Sequence, residues 1–151
     1  MRTATILAML TLGANLWAAD PTLGTWKLDV AKSKYSPGPA PKSATVTYEE
    51  TADGIKRSGE RVDAEGKTTS FTYTAKYDGK EYPVNGSDDF DTIVLKRIND
   101  NTTEGTLKKS GKVVTTARRA VSKDGKILTL TIRGTNAKGE KMHNTDVYEK
   151  Q

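Results

Sequence analysis

The chain has 151 residues, of which 28% are charged, with a formal net charge of +5, 13 glycines, five prolines and no cysteine. That length accommodates one domain, and the lack of cysteine excludes a disulfide-stapled scaffold or a cysteine-ligated metal site. Only 34% of the residues are hydrophobic, low for a globular chain, so any core must be thin.

Residues 1–19 read MRTATILAMLTLGANLWAA. One positive charge, Arg2, precedes an apolar run at 4–12, and small residues close the stretch. This is the layout of a secretory signal peptide, too short to span a bilayer. Cleavage after Ala18 leaves Leu16 at the −3 position, whereas cleavage after Ala19 leaves the bulkier Trp17 there. The expected leader is therefore 1–18, with 1–19 as the alternative, and the domain is 19–151. No later apolar run is long enough for a membrane helix. The expected product is exported (secreted or periplasmic), has no integral membrane segment and is a monomer.

From Gly24 onward apolar residues alternate with period two, the mark of pleated strands. Trp26, Leu28 and Val30 alternate with Lys27 and Asp29; Phe71, Tyr73, Ala75 and Tyr77 alternate with Thr72, Thr74 and Lys76; Leu128, Leu130 and Ile132 alternate with Thr129, Thr131 and Arg133. Threonine and valine, which suit pleated surfaces, dominate these runs. Asp53-Gly54, Asp78-Gly79, Asn85-Gly86 and Asp124-Gly125 supply hairpin turns between them. The pattern predicts strands near 24–30, 43–51, 55–63, 68–77, 80–84, 91–98, 102–109, 112–121, 126–134 and 142–149.

Consecutive hairpins leave two free edges unless the sheet closes. The predicted fold is therefore all-β, a single up-and-down antiparallel barrel of about 8–10 strands. A sandwich, the main alternative, needs longer crossovers than most of these connections. The one long connection, 31–43, carries Pro37, Pro39 and Pro41 and is expected to form an extended strap across one end of the barrel. An outer-membrane barrel is disfavoured because neither strand face is uniformly apolar and no aromatic girdles are visible.

Two stretches resemble known families. Gly24-Thr25-Trp26-Lys27-Leu28 is similar to the Gly-x-Trp opening of lipocalins and fatty-acid-binding proteins. Asp146-Val147-Tyr148-Glu149-Lys150 is similar to the closing strand of fatty-acid-binding proteins, which commonly reads Arg-Val-Tyr-Glu-Lys. The resemblance implies a lipocalin-like (calycin) barrel in which Gly24 and Trp26 are structural and Trp26 plugs one end. It further implies an interior ligand. The family holds a ligand carboxylate with the Arg and Tyr of its last motif; here Tyr148 keeps the Tyr position, but Asp146 stands where the Arg should be. The family's helical lid between its first two strands is also missing, replaced by the proline strap.

Asp146 and Tyr148 are two apart and share a face. A carboxylate buried without a partner costs several kcal/mol, so Asp146 is expected to pair with Arg97, Arg119 or Arg133. Arg119 follows Val113, Thr115 and Ala117 in one alternation, and Arg97 follows Ile93 and Leu95. Tyr48, Tyr73, Arg97, Arg119, Asp146 and Tyr148 are the candidate ligand-binding residues. An interior with Asp146 in it is not tuned to a free fatty acid.

Other signals are weaker. His143 is the sole histidine, and no Ser-His-acid set can be built around it. The acidic stretch Asn85 to Asp91 matches no calcium-loop spacing, so no metal or cofactor is expected. Asn101-Thr102-Thr103 is a formal glycosylation site. Basic residues are interleaved with acidic ones and aromatics are sparse, which argues against nucleic acid as a partner. The leading expectation is a non-catalytic barrel binding a small apolar or amphipathic ligand. The alternative is a structural or protein-interaction barrel with a filled core; an enzyme on the same barrel ranks third, with no general base to nominate.

Overall fold

A computed structural model describes residues 19–151. The predicted leader lies outside the described residues. Twelve strands follow one another: β1 Gly24–Leu28, β2 Lys34–Ser36, β3 Ser43–Thr51, β4 Gly54–Val62, β5 Thr68–Ser70, β6 Thr72–Ala75, β7 Asp78–Asn85, β8 Thr92–Asn99, β9 Thr102–Lys109, β10 Lys112–Val121, β11 Ile127–Thr135 and β12 Lys141–Lys150. Ten of them close into an antiparallel barrel in the order β1-β3-β4-β6-β7-β8-β9-β10-β11-β12 and back to β1. Every sequential neighbour in that ring is joined by a hairpin except β1 and β3. The closing seam sets Trp26 opposite Lys150 on one side of β1 and opposite Val46 on the other. Closure satisfies the ladder without free edges, which is how a chain with so few large apolar residues keeps its backbone bonded.

Two stretches depart from the sequence expectation. The strand predicted at 68–77 is interrupted at Phe71, so that β5 and β6 are two pieces laid along the same edge of β4. The carbonyl freed at the break accepts a hydrogen bond from the Arg57 guanidinium at 2.8 Å. The expected strap at 31–43 is only partly a strap. After a single 3-10 turn at Val30–Lys32, capped by Asp29, the chain regains the edge of β12 as β2, with Tyr35 opposite Asn144. The first strand thus runs along β12 in two arms, and only 37–41, with all three prolines of the segment, is left unpaired.

A β-bulge moves the phase of β10. Val113 faces Lys108 and Thr115 faces Leu107, leaving Val114 as the extra residue. Thr115, Arg119 and Val121 consequently point inward and are buried, while Val113, expected on the same face, is 58% exposed. The bulge presses against β11 at Gly134, where an added Cβ would lie 2.3 Å from the Val114 carbonyl oxygen and 2.9 Å from the Thr115 Cα.

The buried apolar residues form two clusters. One gathers Trp26, Leu28, Ala44, Val46, Tyr48, Ile55, Val121, Leu128 and Tyr148. The other gathers Tyr73, Ala75, Val84, Ile93, Leu95 and Leu107. Trp26 and Leu128 are completely buried, and the Trp26 indole N–H donates to the Thr22 carbonyl at 2.7 Å. Gly134→Ala is expected to destabilise the barrel by about 2 kcal/mol or more, since backbone rather than a flexible side chain must yield. Gly111→Ala, which meets nothing but has φ +78°, should cost about 1 kcal/mol. Urea unfolding of the two variants checks the order.

Candidate functional site

The two apolar clusters meet only in part, where Ile55 faces Ala75 across β4 and β6 and Tyr77 packs against both. Between them lies a cavity of about 80 Å³, walled by Val46, Tyr48 and Tyr148 from one cluster and Tyr73, Ile93, Leu95 and Leu107 from the other. The gap is bridged by two arginines, Arg57 from β4 and Arg119 from β10. No carboxylate lines it among the described residues. Its size is that of a few waters, each taking about 30 Å³ of liquid, and falls well below the roughly 300–1,000 Å³ that encloses a drug-sized ligand.

Arg119 is 5% exposed. Its guanidinium carbon stands 4.4 Å from the Tyr48 ring centroid, a cation–π contact, and its Nη2 donates to the Tyr77 hydroxyl at 2.9 Å. Its Nε has no partner among the described residues. A guanidinium stays charged in proteins, so this is a desolvated cation without a carboxylate in direct contact. Arg57 is held differently. It stacks 3.7 Å from the Phe71 ring centroid, with Phe71 in turn edge-on to Phe90 at 5.1 Å. Burial raises the Tyr73 hydroxyl above its usual range, while the charges of Arg119 and Arg57 pull the other way.

Asp146 is fully buried and pairs with neither Arg97, Arg119 nor Arg133. Its partner is Arg61, whose Nη2 reaches Oδ2 at 2.5 Å. The Tyr148 hydroxyl lies 3.5 Å from both groups. Burial opposes the charge on Arg61, yet the adjacent carboxylate more than offsets it and raises the guanidinium pKa. Burial, with the Asp146 carboxylate beside it, also pushes the Tyr35 hydroxyl up to about 12. Arg61 was readable in principle. Ile55, Arg57, Gly59 and Arg61 are in phase, but only one of the four is apolar, so the alternation itself does not mark this face as inward.

Arg97 sits at the end of the barrel where β8 meets the segment preceding β1. Its Nη2 pairs with Asp20 Oδ2 at 3.2 Å and its guanidinium lies 4.9 Å from the Tyr77 ring centroid. Asp20 also accepts the Tyr77 hydroxyl at 2.5 Å. Burial works to raise the Asp20 carboxyl, but hydrogen bonds from Tyr77 and Thr22 and the Arg119 charge bring it below the ordinary carboxylate range. Of the six candidate residues, Tyr48, Tyr73, Arg119 and Tyr148 therefore share the cavity wall. Arg97 and Asp146 are engaged elsewhere, and Arg57, Arg61, Tyr77 and Asp20 join the polar interior unforeseen. Arg133 lies on an open groove between β10 and β12, and His143 is exposed.

The Arg61 side chain is about a third exposed, but Asp146 is fully buried, so removing Arg61 strands a buried carboxylate. Arg61→Met is expected to lower stability by about 3 kcal/mol, with most of the loss recovered in Arg61→Met/Asp146→Leu; chemical denaturation of the three proteins measures this. A second expectation concerns alkali. Tyr35, Tyr73, Tyr77 and Tyr148 ionise less readily folded than unfolded. Their contribution to stability is thus complete below the unfolded value of about 10 and declines as pH rises above it. The tyrosinate absorbance of these four of the six tyrosines should rise together with loss of the barrel's circular dichroism, not ahead of it.

No protein-family profile matches the chain, and no curated protein is detectably similar to it in sequence. Among solved structures, it is similar to the zebrafish ileal bile acid-binding protein in its crystal structure with cholic acid. The TM-score is 0.52 at 13% identity, covering 87% of this chain and 99% of that one. At that identity the likeness speaks for the fold. The described residues share the fold of that structure, a closed antiparallel barrel of ten strands.

Proposed function

We propose that this protein is an exported, non-catalytic binding barrel that takes a small, partly apolar anion into its interior. The observation that carries the reading is Arg119: a buried guanidinium with an unpartnered Nε, on the wall of a cavity that offers no carboxylate. An acceptor anion placed there gains charge-assisted hydrogen bonds and relieves a desolvated cation. Arg57, held over Phe71 on the same wall, adds a second positive charge. The surrounding Val46, Ile93, Leu95 and Leu107 supply the apolar contact. The structural neighbour is a bile acid-binding protein solved in complex with cholic acid, which supports a ligand-binding reading of this barrel. The size of the cavity argues for a head group with a ring or short chain rather than a long lipid tail.

A structural barrel with no ligand is the second reading, favoured by the small cavity and by the contacts Arg119 already makes to Tyr48 and Tyr77. Calorimetric titration with benzoate, with benzamide as the neutral counterpart, separates the two. The binding reading expects benzoate to bind at least about ten-fold more tightly than benzamide. Arg119→Met should abolish that preference while leaving the unliganded protein as stable or more stable, since a buried charge is exchanged for an apolar side chain. An inert wild type and a clearly destabilised Arg119→Met would establish the structural reading instead.

A further inference from the structure

The segment before β1 folds back into the end of the barrel formed by the turns at 51–54, 75–78, 99–102 and 121–127. Thr22 is 3% exposed and supplies the carbonyl that the Trp26 indole bonds. Asp20 holds the segment in place from both carboxylate oxygens. Oδ1 accepts the Thr22 amide at 2.9 Å, and Oδ2 accepts the Tyr77 hydroxyl at 2.5 Å and Arg97 Nη2 at 3.2 Å.

Tyr77 makes this more than a local anchor. Its hydroxyl donates to Asp20 and accepts from Arg119 Nη2 at 2.9 Å. One continuous chain therefore runs from the segment, through Asp20 and Tyr77, to the guanidinium on the cavity wall. The polar interior holds Arg57, Arg61, Arg97 and Arg119 against Asp20 and Asp146. Asp146 is committed to Arg61 at 2.5 Å, so Asp20 is the anion that answers Arg119 and Arg97.

We propose that Asp20 is a built-in anion that competes with the ligand for Arg119, so that ligand binding and seating of segment 19–23 oppose each other. This rests on the reading of Arg119 as the anion site and names what regulates it. A ligand anion at Arg119 draws the guanidinium toward itself and weakens its bond to Tyr77. Tyr77 then polarises less toward Asp20, and the segment is held less firmly. By linkage the opposite also holds, because a seated Asp20 lowers the affinity of the cavity for anions.

Two measurements test this. In the first, benzoate is titrated into wild type, Asp20→Asn, Tyr77→Phe and the double variant. Asparagine keeps one acceptor oxygen for the Thr22 amide, while the NH2 group in place of Oδ2 removes the charge and the acceptor that Tyr77 and Arg97 use. Asp20→Asn is expected to bind benzoate about five-fold or more tightly than wild type, and the gain should shrink in the Tyr77→Phe background. Unchanged or weaker binding by Asp20→Asn, or a gain of equal size in both backgrounds, overturns the proposal.

The second measurement uses no ligand. Hydrogen exchange at the Thr22 amide and the Trp26 indole is compared between wild type and Arg119→Met. Faster exchange at both sites in the variant, with strand amides of β11 unchanged as the internal control, supports the coupling; identical rates refute it. If benzoate binds none of the proteins, the ligand reading of the cavity fails. The exchange comparison then decides on its own whether Arg119 and the segment are linked.

Discussion

A guanidinium brought out of water without a carboxylate in direct contact is the costliest group in this interior, and the neighbouring structure is arranged around it. Tyr48 offers its ring face, Tyr77 its hydroxyl, and the remaining Nε has no partner among the described residues. The cavity follows from composition. With 30 large apolar side chains in residues 19–151, ten strands enclose more space than those side chains fill. The core condenses into two clusters instead of one, and the space between them is where cations can be tolerated. A fully packed core would have excluded Arg119. A larger and wetter one would have solvated it, removing any reason for a ligand to prefer it.

The two internal carboxylates divide the barrel between them. Asp146, opposite Leu130 on β11, neutralises Arg61. Asp20, at the end where β1 begins, answers Arg97 directly and Arg119 through Tyr77. Arg57 and part of the charge of Arg119 remain for the middle.

Much of this fold was legible because hairpins are local. Period-two alternation and Asp-Gly or Asn-Gly turns placed the strands to within a few residues, and closure followed from counting edges. What escaped was the behaviour of single residues that depend on neighbours distant in sequence. The bulge at Val114 exists because β11 presents Gly134 there, and it turned Val113 outward against its own alternation. The break at Phe71 is stabilised by Arg57 from another strand. Asp146 was recognised as a buried charge needing a cation. Its partner was sought among arginines preceded by apolar runs, whereas Arg61 lies in a strand whose inner face is mostly polar. Tyr48, Tyr73, Arg119 and Tyr148 came together around the cavity because the alternation holds at each of these positions, for Arg119 in the part of β10 that follows the bulge. Asp20 was overlooked because it lies in a segment with no periodicity at all.

The closing seam has a kinetic meaning. β1 is bonded on one side to β3, its near neighbour, and on the other to β12, with Trp26 opposite Lys150. Every other contact in the ring can form between adjacent hairpins as the chain collapses. This one requires the two extremes of the described chain to find each other, so it carries the largest loop-closure entropy in the molecule and is expected to form late. Until it does, β1 and β12 are open edges, the Trp26 cluster is incomplete and the interior is accessible to solvent. The barrel thus passes from an open ribbon of hairpins to a sealed container in a single final pairing, and the cavity between the two clusters is enclosed only at that step.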